Sequence, residues 1–337
     1  MDLAFIIMVA LIGVALLFDY LNGMHDAANS IATVVATRVL TPLQAVCWAA
    51  FFNFIAFLFF GTAVAQTIGR GIISPEIIDS TVIFGALGGA IFWNLFTWWF
   101  GVPSSSSHAL IGGLLGAGIA KAGTDVVVLT GVLKTVAGIF VAPLLGFTLA
   151  MLLMLLASWL FVRARPEHAD KFFRGSQLIS SALYSLGHGG NDAQKTMGII
   201  AALLVAYGYN SGPDAQFVPL WVVLVCHAAM GLGTLSGGWR IVKTMGQRVT
   251  ELRPVQGFAA ETGGAICLFY ATHIGVPVST THTISGCIMG VGAARRPSAV
   301  RWGVARAIVF AWVVTIPACA VVAGLVYWIT RLLTGQF

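Results

Sequence analysis

The chain has 337 residues, 58% hydrophobic and only 9% charged, against about a quarter charged in a soluble domain. With a mean hydropathy of +0.91, this excludes a soluble globular protein. The formal charge of +6 lies in short loops between apolar stretches, which is how topology signals are distributed and excludes a nucleic-acid interface. The five cysteines, Cys47, Cys226, Cys267, Cys287 and Cys319, lie in apolar stretches without CxxC spacing. They read as small core residues, with neither disulfide framework nor metal cluster.

Apolar segments recur at roughly 3–37, 42–66, 82–120, 130–161, 177–208, 217–238, 256–294 and 303–331, each long enough to enter about 30 Å of hydrocarbon. The first has no basic n-region or cleavage site ahead of it, so Met1 to Phe18 read as the start of a retained span. It is longer than one straight helix needs and carries Asn22-Gly23-Met24-His25-Asp26 near its middle, which predicts a broken helix. The third and seventh segments are interrupted by Gly-Val-Pro at 101–103 and 275–277. Proline ends or kinks a helix, and a backbone break at membrane depth survives only inside protein or beside a water-filled cavity.

Charge orients these segments. The connections 162–176 (Arg163, Arg165, Lys171, Arg174), 239–255 (Arg240, Lys243, Arg248, Arg253) and 295–302 (Arg295, Arg296, Arg301) are basic, whereas 208–216 has no Lys or Arg. The basic connections are expected to be cytoplasmic and 208–216 external. Segment 256–294, flanked by basic loops, must then enter and return as a hairpin, and 82–120 is its counterpart from outside. Both termini are predicted external to a cell (inner) membrane.

The hairpin tips align without gaps, GVPSSSSHALIG (101–112) on GVPVSTTHTISG (275–286), with six of twelve positions identical. A second pair precedes them, NGMHDAAN (22–29) and HGGNDAQK (188–195), sharing Gly23/Gly189, Asp26/Asp192 and Ala27/Ala193. The expected fold is an all-α polytopic membrane protein with two inverted-topology repeats, each with broken helices and a re-entrant helical hairpin. The repeats are assigned to 1–162 and 177–337, with a short cytoplasmic connection at 163–176. An odd number of crossings per repeat produces the inversion, and paired interrupted helices are the mark of secondary transporters.

The motifs suggest an anion site flanked by carboxylates. The second arm of each hairpin begins with free N–H groups and the positive end of its dipole. Ser105, Ser106 and Ser107, with Ser279, Thr280 and Thr281 opposite, add hydroxyls there; the bland alternative is simple helix capping. Asp26 and Asp192 are ionisable groups deep in apolar stretches, so they are functional candidates. Each has polar neighbours: His25 and Asn29 beside Asp26, Asn191 and Lys195 beside Asp192. Lys195, one turn from Asp192, either pairs with it or faces the anion. His25 adds a titratable group compatible with proton coupling. Glu261, opposite Leu87 in the repeat, is a further cation or proton candidate. His108 and His282 are equivalent and read first as structural. Asp19, Asn53, Asn94, His188, His227 and His273 are polar residues in apolar surroundings whose roles stay unassigned.

GMHDAANSIAT and GHGGNDAQKTMG resemble the duplicated signature of the inorganic phosphate transporter (PiT) family, and PSSSSHALIG and PVSTTHTISG resemble its hairpin motifs. His25 before Asp26, in place of Asn, is similar to the bacterial low-affinity phosphate transporter branch. The resemblance implies that Asp26, Asn29, Asn191, Asp192 and the tip hydroxyls surround phosphate and its coupling cation. It implies proton coupling, with sodium used by other members and binding at Asp26 and Asp192 if it is the coupled ion. A divalent metal can travel with phosphate, no resident cofactor is expected, and a homodimer is allowed. The short 162–176 connection lacks the large hydrophilic loop of many relatives.

The expected function is therefore a secondary active symporter for inorganic phosphate. A permease for sulfate or another tetrahedral oxyanion is the alternative within this fold. An intramembrane hydrolase built on Ser107-His108 is the alternative from another class, opposed because adjacent residues do not readily form a nucleophile–base pair. A channel suits paired carboxylates facing donor-rich tips less well than a carrier does.

Overall fold

The computed structural model describes residues 3–209 and 218–335. The connection 208–216, expected to be external, lies mostly outside the described residues, as do Met1 and Asp2. Twelve α-helices follow: α1 (Leu3–Ala36), α2 (Pro42–Ile55), α3 (Ala63–Arg70), α4 (Ser80–Phe100), α5 (Ser106–Ala122), α6 (Leu129–Leu160), α7 (Pro166–Ala206), α8 (Leu220–Ser236), α9 (Trp239–Lys243), α10 (Pro254–His273), α11 (Thr280–Arg295) and α12 (Trp302–Thr334). The first six and the last six follow the same plan: a long helix, a bent pair, a hairpin and a long closing helix. Among the described residues no strand forms; a single bridge pairs Ile73 with Val127.

α1, α4, α6 and α12 are each long and apolar enough to cross a membrane, and the bent stretches Pro42–Leu58 with Ala63–Gly69 and Leu220–Ser236 with Trp239–Arg248 qualify as pairs. α7 has a polar interior face from Gln177 to Thr196 that is buried against other helices. Most of the stretch 163–176 forms the first turns of α7, which starts at Pro166 with Glu167 against the positive end of its dipole.

The expected break at Asn22–Asp26 is corrected: α1 runs unbroken through it, and α7 runs unbroken through its counterpart. Neither motif contains proline, and their glycines serve close approach. A Cβ on Gly23 would lie 2.2 Å from the Met230 carbonyl oxygen, and one on Gly189 2.4 Å from that of Asn53. The breaks fall in the next span instead, where the chain turns by 87° between α2 and α3 and by 61° between α8 and α9.

The repeats interlock. α6, which closes the first, packs on α10 and α11 of the second, and α12 packs on α4 and α5 of the first. Each of the two apolar cores draws side chains from both repeats. All five cysteines are unpaired; Cys226, Cys287 and Cys319 join the cores as expected, whereas Cys267 is half-buried and Cys47 is exposed on α2, and neither joins a core.

Candidate functional site

Both hairpin tips are built alike. The first arm ends at a left-handed glycine, Gly101 (φ 64°) or Gly275 (φ 69°), a conformation that costs a residue with a Cβ considerably more. After a short extended stretch the second arm is capped by Ser105 or Ser279, whose hydroxyls accept from the His108 and His282 amides, each at 3.2 Å. These two candidate hydroxyls therefore serve as N-caps, leaving Ser106, Ser107, Thr280 and Thr281 to face the centre.

The tips meet the two aspartates between the repeats. Ser106 Oγ lies 2.7 Å from Asp26 Oδ2 and 2.5 Å from Asn22 Oδ1. Thr281 donates to Asp26 Oδ1 at 3.2 Å and accepts from Asn29 at 2.9 Å. Thr280 donates to Asp192 Oδ2 at 3.0 Å and also accepts from Asn29, at 3.2 Å. The Lys195 ammonium donates to Asp192 Oδ1, to Ser107 Oγ and, at 3.1 Å, to the Val278 carbonyl. Lys195 thus both pairs with its carboxylate and reaches the opposite tip. None of these side chains is more than 3% exposed, so the centre is occluded.

His25 lies against Asp26 (2.9 Å) and reaches Thr97 at 3.0 Å and Ser104 at 3.3 Å. Asn191 donates to Thr272 at 3.0 Å and to the Val276 carbonyl at 3.4 Å, while its Oδ1 has no hydrogen-bond partner. Glu261 stands apart in a cluster of its own. It accepts from Thr33 (2.6 Å), Gln177 (3.0 Å) and Ser180 (2.5 Å). The rings of His108 and His282 meet edge to face at 4.7 Å, and His282 stacks on Trp312 at 4.0 Å.

His188, left unassigned from sequence, enters the site. Its Nε2 lies 3.3 Å from Asp192 Oδ2, one helical turn away. Asp26, His188 and Asp192 each offer a ligand atom, all within 4.8 Å of one another, so together they can hold a cation. Asn22, also unassigned from sequence, enters the site as the acceptor of the Ser106 hydroxyl.

Each tip is also held by the bent helix of the other repeat. Thr67 of α3 donates to the Gly275 carbonyl at 2.7 Å, and Thr244, just after α9, donates to the Gly101 carbonyl at 2.9 Å. Arg240 strengthens the second contact, stacking over Trp99 at 4.5 Å and donating to its carbonyl.

The charges nearly cancel. Two carboxylates and one ammonium leave about −1, and two helix N-termini contribute roughly +0.5 each. Hydroxyls and an ammonium that can donate to an anion thus stand in one enclosure with carboxylates that can ligate a cation.

A buried polar centre enclosed by the hairpins of two matching halves, among helices long and apolar enough to cross a membrane, defines a membrane transporter. The chain belongs to the phosphate transporter family, whose profile matches residues 22–323. It is 64% identical to a "probable low-affinity inorganic phosphate transporter" of Rhizobium meliloti (strain 1021), over 97% of each chain. It is 43% identical to a protein of the same description from Bacillus subtilis (strain 168), over 99% of this chain and all of that one. A solved structure described as "The sodium-dependent phosphate transporter" superposes with a TM-score of 0.88 at 26% identity, covering 97% of this chain and 99% of that one. These relatives are transporters, and the protein is not an enzyme; Ser107 engages Lys195 rather than the adjacent His108.

Proposed function

We propose that the protein is a secondary active symporter that imports inorganic phosphate with a cation, a proton in the first instance, by alternating access. The observation that carries this reading is the near-neutral centre, in which donors for an anion stand in one enclosure with carboxylates that can ligate a cation. Ser106, Ser107, Thr280 and Thr281 would hold phosphate, with Asn29 and Lys195 positioning them, Ser105 and Ser279 fixing the arms, and Asn191 supporting the second tip. Asp26 and Asp192, with His25 and His188, would take the cation, and Glu261 would serve as a separate acid. The repeats 1–162 and 177–337 would rock against each other, joined by 163–176 on the cytoplasmic side of the cell membrane, with external termini.

A sodium-coupled form has its own support in the Asp26–His188–Asp192 cluster and in the printed description of the structural neighbour. The same cluster suits a divalent metal entering with phosphate. Uptake of labelled phosphate into proteoliposomes under an imposed pH gradient, with and without sodium, separates the two forms; dependence on sodium with indifference to the pH gradient would rule out the proton form. Asp26→Asn and Asp192→Asn should each abolish uptake in folded protein, and full uptake by both would overturn the assignment of the site. Excess sulfate should leave phosphate uptake unchanged, and strong competition would favour the broader oxyanion reading.

A further inference from the structure

Asp19 is a carboxylate that the site above does not use. It is 0% exposed on α1, two turns before Asp26, and neither of its oxygens has a hydrogen-bond partner. Thr196 and Asn22 lie near it but outside hydrogen-bonding geometry, and the Thr196 hydroxyl is itself unpartnered. Its charged neighbours are Asp192 and Lys195 on α7, and its titratable neighbour on α8 is Cys226. α2 and α4, which also pack on α1, carry no acidic or basic side chain. His108 of α5 neighbours Lys195. Arg240 and Lys243 of α9 run beside the opposite part of α1, where Gly238 abuts Met24 and His25. Glu261 belongs to that end too, since it binds Thr33, two turns after Asp26.

The two outlying acids are built differently. Three donors hydrogen-bond the oxygens of Glu261, whereas neither oxygen of Asp19 has a hydrogen bond that meets ordinary geometry. A buried carboxylate without donors is far costlier than the neutral acid. The repeat adds an independent observation. Extending the Asp26/Asp192 alignment along two unbroken helices places Asp19 opposite Ser185, which is also buried with an unpartnered hydroxyl. Packing at this position is therefore met by a serine, and the acid is present in one repeat only.

We propose that Asp19 carries a further coupling proton, beside the cation taken at Asp26 and Asp192, as a neutral acid in the occluded conformation and as a carboxylate only once the repeats open it to water. This rests on the symport reading above. Asp19 takes its proton from water on the acidic side and returns it to water on the other side. With Asp19 neutral, Lys195 is held by Asp192 and Ser107, as observed. With Asp19 charged, it competes for the same ammonium and draws it from Ser107 at the tip. Lys195 thereby links proton occupancy to the hydroxyls that would hold phosphate, and it gives the empty carrier a partner for the bare carboxylate on its return.

The test uses the full chain in proteoliposomes, with Asp19→Asn as a mimic of the neutral acid and Asp19→Ser as the residue found at the equivalent place. Both variants should lose pH-gradient-driven accumulation of phosphate by about tenfold or more. Exchange of internal for external labelled phosphate without a gradient should stay within about threefold of the wild type. Accumulation at the wild-type level in either variant overturns the proposal. So does loss of exchange in folded protein, which would mark a structural or phosphate-binding role. The wild type alone reports on the underlying reading: failure to carry phosphate, or accumulation driven by sodium and indifferent to pH, defeats proton symport itself and Asp19 with it.

Discussion

Lys195 is shared between a carboxylate of its own helix and a hydroxyl of the opposite tip, and that sharing makes it the most sensitive single side chain in the centre. Removing one partner of a buried ion pair costs about 3–5 kcal/mol because the other charge stays behind. Lys195→Met should therefore lower the thermal midpoint of the purified protein markedly and abolish uptake. The double variant Lys195→Met/Asp192→Asn should recover most of the midpoint and none of the transport; a double variant as unstable as the single would show that the pair is not the source of the loss. Asp26, Asp192, Lys195 and the tip hydroxyls could be picked out from sequence because polar residues recurred at matching places in two apolar stretches. Neither Asn22 nor His188 is assigned to the site from sequence, although they occupy one position of the repeat, a turn before each aspartate. Matching by identity passes over a position where the residue differs but the polarity and the helical face are kept.

The helices differ in how clearly their sequences announced them. The hairpins were evident from Gly-Val-Pro at each tip, where proline and a left-handed glycine leave few alternatives. The corners between α2 and α3 and between α8 and α9 were not, because Gly61 and Gly237-Gly238 sit where an ordinary span would be ending. The glycine of the aspartate motif was misread as a breaker. At membrane depth a helix keeps its backbone hydrogen bonds wherever it can, and a glycine there lets a neighbour approach. The same logic applies in the second hairpin arms. A Cβ on Gly116 would lie 2.0 Å from the Ala320 carbonyl oxygen, and one on Gly290 2.2 Å from that of Phe147, whereas Gly13 has nothing within 4 Å. Gly116→Ala and Gly290→Ala should each destabilise by about 1–3 kcal/mol through overpacking. Gly13→Ala should be neutral or slightly stabilising in the same thermal-shift series, and equal losses at all three sites would refute the close-approach account.

Across the whole molecule, the two threonine latches divide the protein into a side closed by α3 on the second tip and a side closed by α9 on the first. One neutral hydrogen bond is worth about 0.5–1.5 kcal/mol, so Thr67→Val should speed hydrogen exchange most in 275–279 and Thr244→Val most in 101–105. A uniform rise across both tips would mean that the latches do not act separately. The exchange of closing helices between repeats bears on something else, the order in which the protein can be made. When the ribosome has delivered only the first repeat to the membrane, α6 lacks α10 and α11, and the first hairpin still awaits α12. The early half must wait, its grooves lined by lipid or a chaperone, until the last helix arrives. Expressed as separate polypeptides, each half should be degraded when made alone and rescued when both are made together.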